Sequence, residues 1–290
     1  MVINPTLNTT VGAALLGGFA TSMLYGIVCS QCYTFFQSPN QRHTAVIIKY
    51  PIAILSVLIT LYTGLVLHSL YWYAVINFGN ESKVLDITWS IRALVVVAAV
   101  NDVIVRSCFV HRAWILGGHR TSQWYIFPLV FLVLCLFGVS MTVGVWSLKL
   151  KTLQDFQSIE ALYNANLIMV AVADLTIAGR LTFLLASMKG NFIKRTDSLI
   201  NIMLAYTINT GLITSLVSIA SLIAHATMPY NYVFLAVFFP LSPLYVNALL
   251  ASYNARYWLR SESPPGDGDK LPHNDGSLHV RVIVESQETY

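Results

Sequence analysis

Seven apolar stretches, at 10–36, 45–76, 87–116, 124–148, 161–188, 198–224 and 230–253, are each long enough to cross a bilayer, and each ends in a short polar break. A hydrocarbon core roughly 30 Å thick takes about 20 helical residues per crossing. In lipid every backbone N–H and C=O must be paired within the protein, which leaves helices or a closed barrel. The runs are far longer than the ~10-residue alternating strands of a barrel. The expected fold is therefore all-α: an integral membrane bundle of seven helices with short loops over 10–256, a short N-terminal segment at 1–9 and a disordered, flexible tail at 257–290.

Composition narrows the function classes. The chain is 56% hydrophobic and 10% charged, against about 25% charged in an average soluble domain. No basic, aromatic-interleaved segment exists, so nucleic acid is not an expected partner. There is no H-E-x-x-H, G-x-S-x-G or P-loop sequence, and the seven histidines are scattered without metal-ligand spacing on one helix. Neither catalysis nor a cofactor nor a metal is expected. Cys29, Cys32, Cys108 and Cys135 all fall within the predicted spans, away from loops where a disulfide would form. Cys29 and Cys32 make a C-x-x-C with no second pair, mid-helix, which does not read as a redox or zinc motif.

Charge sets the expected orientation. Arg42, Lys49, Arg112, Arg120, Lys189, Lys194, Arg195, Arg256 and Arg260 cluster around one set of loops and the tail; Lys83, Lys149 and Lys151 lie on the other side. By the positive-inside rule the N-terminus is outside and the C-terminus cytoplasmic. The acceptable glycosylation sequons, at Asn8 and Asn80, both fall on the side assigned outside. Which membrane holds the chain, plasma or internal, is left open. No basic n-region precedes the first apolar run, so the first span is expected to insert itself. Its Ala13/Gly17/Thr21 and Ala14/Gly18/Ser22 ladders allow close helix approach, within the chain or between copies.

Charges inside predicted spans are the main functional clue. A central Asp or Arg costs ~2.5–3.5 kcal/mol on insertion scales and usually faces a partner or a wet cavity. Asp102 and Arg106, four apart in span 3, share a helical face; span 5 carries Asp174 and Arg180. By helical rise the two aspartates lie at one depth, about 20 Å from the outer end, with the two arginines as a second layer beneath. These four residues are the candidate ligand or ion site; a salt-bridge network fixing helix rotation is the alternative. His68, Tyr62 and Tyr73, with Tyr206, Asn209 and Thr210, can extend a polar interior, while Arg92, Lys49 and Arg112 can snorkel to the membrane surfaces. Span 7 has no lysine for a retinal Schiff base, and its Ser242-Pro243-Leu244-Tyr245 is only a faint echo of the N-P-x-x-Y element of seven-helix receptors. Pro51, Pro240 and Pro243 are candidate helix breaks.

The C-terminal third carries a more specific pattern. Arg195-Thr196-Asp197-Ser198-Leu199-Ile200-Asn201, then 206–215, Met228-Pro229 and Tyr245-Val246-Asn247 through Asn254-Ala255-Arg256, resemble the signature of basidiomycete multi-pass membrane proteins carrying the domain of unknown function numbered 6534. Gly12 to Gly18, His68 with Tyr71 and Tyr73, Asn77-Phe78-Gly79-Asn80 and Phe109 to Trp114 fit the same pattern, so the resemblance runs over about residues 10–260. It implies a seven-helix fungal membrane protein without an assigned activity. It marks Arg195, Asp197, Asn209, Tyr245, Asn247 and Asn254 as family-motif residues. Ile59 stands where the family often has an acid, and Pro243 where a lysine often precedes Leu-Tyr-Val-Asn.

Physical roles for that segment are architectural first. Thr196, Asp197 or Ser198 can cap the start of span 6. Asn247 and Asn254, two turns apart on one face, can bond across helices. The 189–195 loop and the tail, with its Leu278–Val284 strand-prone piece, are candidate contacts for anionic lipid or a cytoplasmic partner. The leading functional expectation is a receptor-like sensor of a small ligand; a carrier or channel using the same charges, and a scaffold, are the alternatives.

Overall fold

The structure is a computed structural model that describes residues 11–37, 46–80, 83, 86–121, 123–152, 155–188, 211–224, 227 and 233–261. Its helices are α1 (Ala13–Gln37), α2 (Val46–Tyr71, prolonged by a π-helical turn at Trp72–Ile76), α3 (Trp89–Thr121), α4 (Gln123–Ser147), α5 (Glu160–Met188), α6 (Gly211–Ala224), α7 (Val233–Phe238) and α8 (Leu241–Ser261). A 3₁₀ turn, Asp155–Ile159, leads into α5. With α7 and α8 taken as one segment, six stretches are long and apolar enough to cross a membrane among the described residues. α6 covers about 21 Å by helical rise, short of a crossing; residues 198–210 of the predicted sixth span lie outside the described residues.

Much of the apolar side-chain surface points outward. Leu16, Met23, Val57 and Phe131 are each about 70% exposed, a pattern that in water would mark a large unpartnered patch and here marks the lipid-facing surface. The interior is packed by Tyr62, Leu94, Leu136, Leu181, Phe239 and Leu249. Both faces of each helix are apolar, so packing alone encodes little helix rotation; polar contacts between helices have to supply it.

Neighbouring contacts give the direction of each helix. Tyr25 meets Thr60 and Cys32 meets Ser56, so α1 and α2 are antiparallel. Ser147 bonds the Arg92 carbonyl and Gly144 packs on Val96, setting α4 against α3. Gly211 lies on Ala178 and Ser221 stands beside Tyr163, which makes α6 antiparallel to α5. α8 runs parallel to α1, its Asn247 and Asn254 amides donating to the carbonyls of Leu24 and Gln31, both at 2.9 Å. It also runs parallel to α3.

The end of the bundle where α1 begins, the near end, is closed by two paired loops. Asp86 and Thr152 form an antiparallel bridge, Ile87 N–H donates to the Lys151 carbonyl at 2.8 Å, and the Tyr73 hydroxyl donates to the Asp86 carbonyl at 2.6 Å. Asp155 braces the second loop by accepting from the Lys151 and Thr152 amides, both at 3.0 Å, and those bonds hold its exposed carboxyl below the usual carboxylate range. Asn80, exposed, follows a turn in which Gly79 takes φ +78°, a conformation that favours glycine. Asn8 lies outside the described residues.

Two prolines break the last crossing and the neighbours repair the damage. Pro240 has no N–H for the Ala236 carbonyl, and Pro243 has none for that of Phe239. The Tyr62 hydroxyl donates to Phe239 O at 3.0 Å in a fully buried site. Gly17 brings the α1 backbone onto Ala236: a Cβ there would lie 2.5 Å from its oxygen. Gly18 does the same toward Leu70 of α2. Both small-residue ladders of α1 are thus used within the chain. Pro51, by contrast, is carried inside a continuous α2.

Candidate functional site

Halfway along α3 and α5, and near the start of α8, the polar residues converge. Arg106 on α3 donates from Nε to Asp174 Oδ1 on α5 at 3.0 Å and from Nη2 to the Tyr245 hydroxyl on α8 at 3.0 Å. That hydroxyl in turn donates to Asp174 Oδ2, closing a three-membered ring of hydrogen bonds. Thr214 of α6 adds a hydrogen bond to the same carboxylate. Asp102, one turn before Arg106, lies 3.7 Å from Nη1. Arg106 and Asp174 are only 4% and 5% exposed, so their pairing replaces solvent almost completely.

Local geometry explains the selection. Residues four apart on a helix differ by about 40° in direction and residues six apart by about 120°. Asp102 and Arg106 therefore share a face, whereas Asp174 and Arg180 do not. The structure brings Asp102, Arg106 and Asp174 together with Tyr245; Arg180 lies over the ring of Phe183, 5.7 Å from its centroid, on its own helix. The two-layer arrangement expected from depth resolves into one cluster at the level of Arg106.

Above and below the tie, α3 and α8 make two further polar rungs. Asn101 Nδ2 donates to Ser242 Oγ at 2.6 Å and Arg112 Nη1 to Ser252 Oγ at 2.6 Å, all four residues buried. Arg112, which its position near a span end would let snorkel, is instead only 7% exposed and turned into this seam. Arg92 reaches the Leu148 carbonyl at 3.1 Å. Tyr62 and Tyr73 serve backbone carbonyls, and His68 lies tilted against Trp89 with ring centroids 4.9 Å apart. Arg195, Asp197, Asn209, Tyr206 and the 189–195 loop lie outside the described residues.

The space beside the tie is small. A cavity of about 30 Å³, bounded by Arg106, Asp174, Thr214, Tyr245 and Leu181, has room for a water or two and no organic molecule. Among the described residues no group of three His, Cys, Asp or Glu side chains is placed to hold a metal ion, and the four cysteines are free thiols.

Six long apolar stretches, three of them tied to one another through buried charges, define a multi-pass helical membrane protein. Residues 170–258 match the model of a family of unknown function, DUF6534. The matched stretch, under a third of the chain, takes in Asp174, Tyr245, Asn247 and Asn254 and stops short of Asp102 and Arg106. No curated protein and no solved structure matches the chain.

Proposed function

We propose that this is a seven-crossing membrane protein, N-terminus outside, working as a receptor-like sensor with the Arg106–Asp174–Tyr245 ring as its latch. Helix direction supports the count. α5 and α8 both run parallel to α3, so the chain must cross back between them, and α6 is the antiparallel segment at that place. Orientation draws on charge: Lys83, Lys149, Lys151 and Asn80 gather at the near end, which becomes the outer one. Motifs before residue 170 extend the fungal family resemblance over the whole bundle.

The observation that carries the sensor reading is the buried ring itself. Apolar side chains of similar volume often stabilise a core as well as a buried ion pair or better, whereas removing one partner costs ~3–5 kcal/mol. Such a ring contributes little as glue; its value lies in holding one arrangement of helices against another. The latch joins α3 to α5 and α8, so opening it frees α5 and α6 to shift at the far end, toward the 189–195 loop and a cytoplasmic partner. No catalytic role is assigned. A carrier of protons or cations is the second reading, favoured by Asp102 Oδ1, which is buried without a hydrogen-bond partner.

The test is a distance. Spin labels at Ile115→Cys on α3 and Phe183→Cys on α5, both exposed positions, on a background with the native cysteines replaced, report far-end separation. Asp174→Asn should add a second, longer distance. An unchanged distribution in a variant that merely melts earlier would leave the ring as a structural fastener and sink the sensor reading.

A further inference from the structure

We infer that Asp102 holds a proton while the latch is closed and releases it when Arg106 turns from Asp174 to Asp102. The cluster contains two carboxyls and one guanidinium. With both acids ionised, a net negative charge would sit inside the bundle. Hydrogen bonds decide which acid is neutral. Asp174 accepts from Arg106 Nε, from the Tyr245 hydroxyl and from Thr214, surroundings that favour an ionised carboxylate. Asp102 accepts from none: its Oδ1 is buried without a partner, and its Oδ2 lies 3.7 Å from Arg106 Nη1, beyond hydrogen-bond reach. A neutral carboxyl in such a place forgoes hydrogen bonds. An ionised one forgoes its hydration as well, which is the larger cost.

The neighbours do not change this sorting. Among the described residues, the charged and titratable groups facing Asp102 are Arg106 on its own helix, Asp174 on α5 and Tyr62 on α2. The Tyr62 hydroxyl already donates to Phe239 O, and Tyr245 of α8 gives its proton to Asp174. The Asp102 side chain keeps 17% exposure against 4% for Asp174, so it is the carboxyl with an edge at which a proton can pass to water. When the Arg106–Asp174 bonds open, the freed guanidinium is one turn from Asp102 on the same helical face. Its full charge there favours the ionised acid, and the proton leaves to water. The proton thus belongs to the closed latch and is exchanged for the guanidinium on opening. That exchange rests on the sensor reading; the place of the proton in the closed protein does not.

Infrared spectra of the full-length protein near neutral pH, in a maltoside detergent free of ester groups, test the site. An ordinary aspartate is ionised there, so the carbonyl stretch of a protonated carboxyl should mark Asp102. The band should shift on carbon-13 labelling of aspartate and vanish in Asp102→Asn. Asp174→Asn should abolish the same band, because Arg106 then turns to Asp102. Melting gives a second readout. An amide is close in shape to a protonated carboxyl, so Asp102→Asn should melt with the unaltered protein, whereas Asp174→Asn should melt well below it. The proposal is overturned by the absence of the band from the unaltered protein, by its survival in Asp102→Asn, or by an Asp102→Asn variant that melts as low as Asp174→Asn. Survival of the band in Asp174→Asn overturns the exchange. Loss of the band in both variants with the Ile115–Phe183 distance unchanged would keep the proton site and reject the sensor.

Discussion

α8 is held on two sides by different chemistry. Against α1 it uses neutral amides: Asn247 and Asn254 reach carbonyls exactly as far apart on α1 as the asparagines are on α8, seven residues, while Gly17 lets the preceding α7 backbone come into contact. Against α3 and α5 it uses charge: Arg106, Asp174 and Tyr245. An amide rung that loses its carbonyl leaves a neutral group that finds another partner, and such bonds average ~0.6 kcal/mol in membrane bundles. A charged ring that loses one member leaves a bare ion in a low-dielectric interior. The first side tolerates loosening by degrees; the second is all or nothing. On the sensor reading proposed above, α1, α7 and α8 move as one body, and the seam with α3 and α5 is the place where the two arrangements would differ.

The largest effect should come from breaking the charged side unevenly. Arg106→Leu leaves Asp102 and Asp174 without their cation and should destabilise by ~3–5 kcal/mol, seen as a large drop in melting temperature in detergent. Adding Asp174→Leu should recover part of that loss, because two apolar residues then face each other while Asp102 alone still lacks its cation. If the double variant is as unstable as the sum of the singles, the residues do not act as a pair and the contrast between the two seams fails.

Next in size is the close approach at Gly17. A valine there must push its Cβ into the Ala236 backbone, for an overpacking cost of ~1–3 kcal/mol. The strain falls on the body formed by α1, α7 and α8, so melting should suffer while the Ile115–Phe183 distance stays as in the unaltered protein. A change in that distance would show the two seams to be mechanically one.

Much of this was legible in the residues and some was not. Run length alone located two of the spans to within a residue: 124–148 was expected and Gln123–Ser147 observed, and 161–188 became Glu160–Met188; the last ran on from the expected 253 to Ser261. Spacing also placed Asp102 with Arg106, and Asn247 with Asn254. Depth without rotation was the weak point, since it grouped Arg180 with Arg106 although six residues turn a side chain about 120° away from Asp174. Pro243 was visible as a break, yet nothing local says that Tyr62, 181 residues earlier, supplies the donor its missing N–H requires. Contacts between helices that are apolar on every side leave no periodic trace for a single chain to display.

A smaller effect should follow from the neutral seam. Asn247→Leu or Asn254→Leu removes one rung and should cost about 0.6 kcal/mol, at most ~1.7; the two together should be nearly additive, since neither leaves a charge behind. Thermal melts of the singles and the double measure this. A loss of several kcal/mol from either single would make the amide seam as demanding as the charged one, and the distinction between them would go.

The smallest effect lies at the near end, where the paired loops also hold α3 to α5, alongside the latch. Asp155 is the group that makes this separable by pH. Its folded-state carboxyl sits below the usual range because the Lys151 and Thr152 amides donate to the ionised form. A depressed carboxylate adds stability above its unfolded pKa, about 3.9, and that contribution is lost as pH falls through the folded value. Being exposed, it contributes locally: amide hydrogen exchange at Lys151 and Thr152, compared with Asp155→Asn at each pH to remove the intrinsic pH dependence, should show protection at pH 6 that fades below pH ~4. The Ile115–Phe183 distance should not follow it. If acid opens the loops and the far-end distance together, the near-end bridge and the Arg106 ring form one fastener, and α5 is held at both ends rather than by the charged side alone.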